Sequence, residues 1–167
     1  MMDNGTHVIF VNQNRKLSKN TKMEKEMTKL DSLASGSDKV IYEISSVFPF
    51  QLFPDRLTID LNKITIFRNS FLNKLTFPVF IENILTLNFN RDIFFASLTF
   101  EIRGFETNPA VLTHLRRKEA GRAEQYILGL IKAKNEGINL SKIPINILRE
   151  KLENIGLAKE ITKPAII

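Results

Sequence analysis

From residue 40 to residue 115 the chain switches between apolar and polar positions with a period of two, and from 116 to 136 with a period near 3.6. Val40, Tyr42 and Ile44 alternate with Ile41, Glu43 and Ser45; Leu57, Ile59 and Leu61 alternate with Thr58 and Asp60; Asn62-Lys63 then turns into Ile64-Thr65-Ile66-Phe67-Arg68. Period two is the signature of a strand, and two such runs around a short polar turn predict a hairpin. Asn69-Ser70 turns again into 72–80. Leu85, Leu87 and Phe89 mark the next strand, and Phe94, Ala96, Leu98, Phe100 and Ile102 the clearest one. The opposite face of that last run, Phe95, Ser97, Thr99, Glu101 and Arg103, is mostly polar, which predicts antiparallel strands with one face on the core. Pro109 to Leu115 is the last of seven runs. Pro49, Pro54 and Pro78 lack the N–H that a ladder needs, so their segments are expected at edges, bulges or bends, with Pro54-Asp55 entering a turn.

The helical pattern covers Arg116 to Glu136. Ala120, Ala123, Ile127, Leu130 and Ile131 form one stripe, Lys118, Arg122, Gln125 and Lys132 line another side, and Gly137 supplies a stop. Full burial of the three large aliphatics contributes roughly 5 to 9 kcal/mol gross, at about 1.5 to 3 each. That is comparable to the net stability of a whole domain, about 5 to 15 kcal/mol, so the helix is expected to dock on the sheet. A second helix is expected from about Pro144 to Ile155 on Ile147, Leu148, Leu152 and Ile155, closed by Gly156, with three readings open: packed on its own domain, offered to a partner, or disordered. Before the strands, residues 1–39 read as a Lys-rich tail, largely disordered. Thr21 and Glu24 have capping-box spacing there, and Met23, Met27, Leu30 and Leu33 recur near helical period, so a short helix at 22–34 is expected. The domains expected are therefore the 1–39 tail, a folded domain at 40–137, and a short helix with a loose end at 138–167.

The order of elements, seven antiparallel strands and then one amphipathic helix, predicts a β-rich α+β fold: a bent sheet or partly open barrel capped by its C-terminal helix. The phrasing goes further. Phe48-Pro49-Phe50-x-Leu52-Phe53-Pro54-Asp55-x-Leu57-x-Ile59-Asp60-x-x-Lys63-Ile64-Thr65, then Pro109 to Leu115, then Arg117 with Glu119-Ala120, resembles small bacterial pleckstrin-homology-like proteins. The resemblance covers 46–137, just over half of the chain, and its motifs are structural. It implies a non-enzymatic module that recognises a protein, peptide or lipid, and it transfers no site residues. Eukaryotic members that hold inositol phosphates use a basic cluster in the first hairpin. Here residues 40–70 set Arg56, Lys63 and Arg68 against Glu43, Asp55 and Asp60.

Composition adds to this picture mainly by subtraction. A length of 167 residues and an apolar fraction of 43% suit one globular domain with tails. With no cysteine there are no disulfides, thiolate metal sites or cysteine nucleophiles, in keeping with a reducing cytosol. Val8-Ile9-Phe10-Val11 has neither a basic region before it nor a cleavage site after it, so a cytoplasmic protein, either free or peripheral at the membrane, is expected. His7 and His114 form no pair on the core, phosphate-loop and nucleophile-elbow motifs are missing, and Asp55 and Asp60 flank a turn where solvation is the ordinary reading. No catalytic residue, metal or cofactor is assigned. Arg103-Gly104-Phe105 opens like an RNA-recognition strand but is broken at Glu106 and Thr107, and reads as a strand-end glycine.

Two features remain as candidate sites. His114, Arg116, Arg117, Lys118 and Arg122 gather cations where the helix begins, against the positive end of its dipole, at about 0.3 to 1 kcal/mol each. They mark an anionic-partner site unless Glu119, Glu101 or Glu106 neutralises them. Phe67 and Phe95 fall on the polar face by alternation and are candidates for an apolar contact patch. The leading expectation is a protein or peptide partner, bound at a strand edge or beside the helix. Attachment to an anionic membrane through the basic tail and the 116–122 cluster is the alternative, and weak nucleic-acid binding by the basic C-terminal third is a further one.

Overall fold

The computed structural model describes residues 22–31, 39–104 and 110–160. The chain divides into two units, Met1–Ser35 and Gly36–Ile167. In the first, residues 22–31 form helix α1, on which Met23, Met27 and Leu30 are exposed. The rest of the expected tail, Leu33 included, lies outside the described residues.

The second unit holds β1 (Val40–Ser45), β2 (Arg56–Asp60), β3 (Lys63–Asn69), β4 (Lys74–Phe80), β5 (Ile84–Arg91), β6 (Phe95–Ile102), β7 (Ala110–Arg116), α2 (Arg117–Asn135) and α3 (Ile145–Glu160). The strands form two antiparallel sheets, β1-β2-β3-β4 and β5-β6-β7, rather than the single bent sheet expected. A 3-10 turn at Ile81–Asn83 separates them: the Ile81 N–H donates to the Asn62 carbonyl and the Arg103 N–H to that of Asn83, so the connection is held by loops and not by a ladder. One isolated bridge, Ser46 to Leu115, joins the end of β1 to β7.

Alternation fills the space between the sheets. Leu57, Ile59, Ile64, Ile66, Leu98, Phe100, Leu112 and Leu115 are buried, and α2 adds Ala120, Ala123, Ile127 and Leu130 to the same cluster. Ile131 packs only partly against it, so two of the three expected aliphatics carry the burial. In β5 the pairing slips between Ile84 and Thr86, a bulge that buries Ile84 and leaves Leu85 exposed. Phe94, expected as the first core residue of β6, lies in the turn before it and is exposed.

Helix α3 packs on α2 through Leu148 and Leu152, while Ile147 of the expected stripe is exposed. Gly156 does not close α3; the helix continues to Glu160. A Cβ at Gly156 would overlap the Gln125 backbone, 2.6 Å from its Cα, and one at Gly129 would sit 3.0 Å from the Leu152 Cα. The two glycines therefore set how closely the helices approach. Arg149 reaches from α3 to β1, donating from Nε to the Ile41 carbonyl at 2.7 Å and from Nη2 to that of Val40 at 3.4 Å.

Candidate functional site

At one end of the second unit, three stretches that turn chemistry would make polar are apolar instead. The segment between β1 and β2 presents Phe48, Phe50, Leu52 and Phe53; the β3–β4 turn presents Phe71 and Leu72; the β5–β6 turn presents Ile93 and Phe94. Phe71, Leu72, Ile93 and Phe94 are 81, 85, 80 and 79% exposed. The first segment ties the two turns together: the Phe53 ring lies 6.1 Å from that of Phe71, and the Phe50 ring 4.7 Å from that of Phe95. Phe48-Pro49 is a cis peptide bond.

The predicted cations border this surface. His114 stacks edge-on against Phe95 at 5.7 Å, Arg116 is the cross-strand partner of Phe95, and Arg117 donates from Nη1 to the Ile93 carbonyl at 3.0 Å. Arg116 is the N-cap of α2 and pairs with Glu119 at 3.1 Å, so one of the expected neutralising partners does act. Lys118 has no ion pair among the described residues. Arg122 stands apart: it pairs with Glu153 of α3 at 3.7 Å and belongs to the seam between the helices. Lys74 and Arg91, at the base of the two turns, add cations that the sequence did not single out, Arg91 lying over the Phe89 ring at 5.3 Å.

His114 has φ +54°, a left-handed conformation that costs a non-glycine residue about 1 kcal/mol or more. It sits where the β6–β7 register slips between Ala96 and Leu98, and the turn of the chain there lets its carbonyl accept from the Val47 N–H at 2.9 Å. The bulge thus anchors the Phe-bearing segment to β7.

Phe67 and Phe95 do not form one patch. Phe95 belongs to the aromatic surface, whereas Phe67 lies in the other sheet, opposite Arg56 and Thr76, and is half-buried. The apolar turns escaped the sequence reading because Phe71-Leu72 and Ile93-Phe94 look like the starts of the following strands.

A cleft of about 360 Å³ opens between the β1–β2 segment, the β3–β4 turn and β7, lined in part by Gln51, Asp55, Arg68, Asn73, Leu75 and Val111. Asp55 and Asp60 are buried rather than solvated. The Asp55 carboxylate accepts from the Asn69 N–H at 3.1 Å, and Asp60 accepts from the Asn62 and Lys63 N–H groups, each at 2.8 Å. Both carboxylates are thereby explained as turn supports. Arg68 donates from Nη2 to the Val111 carbonyl at 3.1 Å, but its Nε, like Gln51 Oε1, is buried without a hydrogen-bond partner. Each such atom costs about 1 to 3 kcal/mol. Among the described residues no three His, Cys, Asp or Glu side chains stand close enough to hold a metal ion.

Comparison with protein-family models, curated proteins and solved structures finds no match for this chain.

Proposed function

We propose that the chain is a non-catalytic interaction module of pleckstrin-homology-like architecture that docks on an anionic membrane surface through its phenylalanine-rich end. The observation behind this reading is the pair of turn tips, Phe71-Leu72 and Ile93-Phe94, each about four-fifths exposed and bordered by Lys74, Arg91, Arg117 and Lys118. Large side chains at protruding tips are costly in water and gain when they enter the acyl boundary, while cations beside them meet anionic headgroups at about 1 kcal/mol each. Neither the tips nor the cations form a pocket with acid–base or nucleophilic chemistry. Among the described residues no helix is long and apolar enough to cross a membrane, so attachment on this reading is peripheral.

The protein or peptide reading keeps one specific support, the β4 edge. Strand β4 is outermost in its sheet and exposes Leu75 and Phe80, although Pro78 within it has no N–H to offer an added strand. Nucleic-acid binding loses ground because Arg122 and Lys132 of the basic third are paired with Glu153 and Glu136.

Vesicle flotation of the full chain tests the proposal. Binding is expected to vesicles containing phosphatidylglycerol and not to neutral ones. The double substitutions Phe71→Ser with Leu72→Ser, and Ile93→Ser with Phe94→Ser, should each weaken it at least tenfold, since burying each such side chain is worth about 1.5 to 3 kcal/mol. Wild-type protein that fails to float at low ionic strength, or tip variants that float equally well, would overturn it.

A further inference from the structure

We infer that β5 is a self-pairing edge: two copies of this chain join their β5 strands antiparallel, about a two-fold axis at Asn88, so that the two three-stranded sheets become one. The sheets have four outermost strands, β1, β4, β5 and β7. An outermost strand leaves a row of N–H and C=O groups unpaired, and folded chains ordinarily block such rows. Three of the four are blocked here. Arg149 occupies the carbonyls of Val40 and Ile41 on β1. Pro78 interrupts β4, having no N–H. On β7 the carbonyls of Val111, Thr113 and His114 accept from Arg68 Nη2, Ser46 Oγ and the Val47 N–H.

Strand β5 has no such block. The Asp92 N–H donates to the Phe95 carbonyl at 2.9 Å, and from there the register runs unbroken to Thr86 opposite Glu101. Bonded and unbonded pairs alternate along an antiparallel ladder. Thr86, Asn88 and Asn90 therefore bond to β6, and the N–H and C=O groups of Leu87, Phe89 and Arg91 point away from it. Among the described residues nothing pairs with those outward groups. Proline, lysine and carboxylate, which deter edge pairing, are absent from Ile84–Arg91.

The occupant follows from the sequence of β5, which fits its own reverse. With Asn88 opposite itself, Leu87 faces the partner's Phe89, Thr86 faces the partner's Asn90, and Arg91 faces the partner's Leu85. Apolar meets apolar, and amide meets amide or hydroxyl. The two Arg91 residues stand six positions apart along the strands, about 20 Å at ~3.3 Å per residue, well beyond the screening length of about 8 Å. Leu87 and Phe89 are half-buried, and the partner strand covers part of what water still reaches. A two-fold contact closes on itself, so association stops at the dimer. No turn-tip residue takes part, and the inference stands independently of membrane docking.

Sedimentation of the full chain over a range of concentrations tests it, with the variants Asn88→Lys and Asn88→Asp. Asn88 is exposed, so neither substitution disturbs the core, and each sets two like charges about 5 Å apart at the axis. Wild type is expected to dimerise and either variant to do so at least tenfold more weakly. An equal mixture of the two variants should recover the dimer, because opposite charges then meet. Hydrogen exchange reads the backbone: the amides of Leu87, Phe89 and Arg91 should slow as the dimer forms, while those of Thr86, Asn88 and Asn90 are slow throughout. A wild type that stays monomeric to its solubility limit would overturn the inference and leave the edge to an extended segment of another protein. A dimer that survives both Asn88 variants, or that Thr76→Lys on β4 weakens as much, would assign another surface and overturn it too. A mixture that restores nothing would remove the axis from Asn88.

Discussion

Asp60 shows how a single buried carboxylate couples the hairpin to pH. Burial pushes its pKa above the ordinary value of 3.8, and the N–H groups of Asn62 and Lys63, which organise the β2–β3 turn, partly oppose the rise. A pKa higher in the folded chain than in the unfolded one means that folding takes up a proton near this group. Its contribution to stability is then fully present below the unfolded value and is lost as pH rises through the folded one. Asp60→Asn keeps an oxygen for both N–H groups and does not titrate. The stability of wild type relative to this variant is therefore expected to be greatest below pH 3.8 and to shrink above it, as read by urea denaturation at stepped pH. A difference that widens with pH would contradict the assignment. The sequence placed Asp60 beside a turn, but its burial depends on side chains from strands that pair only in the fold.

Among the elements, the strands were legible wherever alternation ran without interruption. Leu57 and Ile59, Ile64 and Ile66, and Ala96, Leu98 and Phe100 all face the core as their spacing implies. The reading fails where one residue is inserted: the bulge at the start of β5 turns Leu85 outward and buries Ile84 in its place, while Leu87 and Phe89 still pack against the core, and pattern alone gives no sign of it. Gly156 fails for a different reason. A glycine after a helical stripe ordinarily marks its end, yet here it lets one backbone reach another, a role visible only once the second helix is in place. Three glycines in this helix pair make a matched experiment. Alanine is favoured over glycine inside a helix by about 1 kcal/mol. At Gly121 a Cβ would meet Phe89 at an ordinary 3.8 Å, so Gly121→Ala is expected to raise stability by up to that amount. Gly129→Ala and Gly156→Ala must push α3 off α2, and each is expected to lower it by about 2 kcal/mol or more, within the range for an overpacked core. Thermal or urea melts of the three variants decide the matter, and a stabilised Gly156→Ala would show that the helices do not meet as described.

Over the whole molecule, the surface proposed for membrane docking is one that no single stretch of sequence contains. The cation cluster at the start of α2 was visible as a local run, but the aromatic surface it borders comes from three separate segments, and the polar cleft joins Gln51, Arg68 and Val111. Mixed character makes a prediction at this scale. Attraction between Lys or Arg and headgroups is screened within about 8 Å at physiological salt, whereas apolar insertion is not. Flotation on anionic vesicles is thus expected to fall as salt rises and to level off above zero, the remainder disappearing in the Ile93→Ser, Phe94→Ser variant. Complete loss in salt would leave the apolar tips without a role in docking.

Arg149 carries a consequence for how copies of this chain meet. A sheet's outermost strand is a template on which a neighbour can grow, and β1 occupies that position. With a guanidinium lodged on the carbonyls of Ile41 and Val40, an incoming strand would first have to evict it. Helix α3 in that sense covers part of an open sheet edge, and a chain shortened before residue 149 would leave those two carbonyls free for a neighbouring strand.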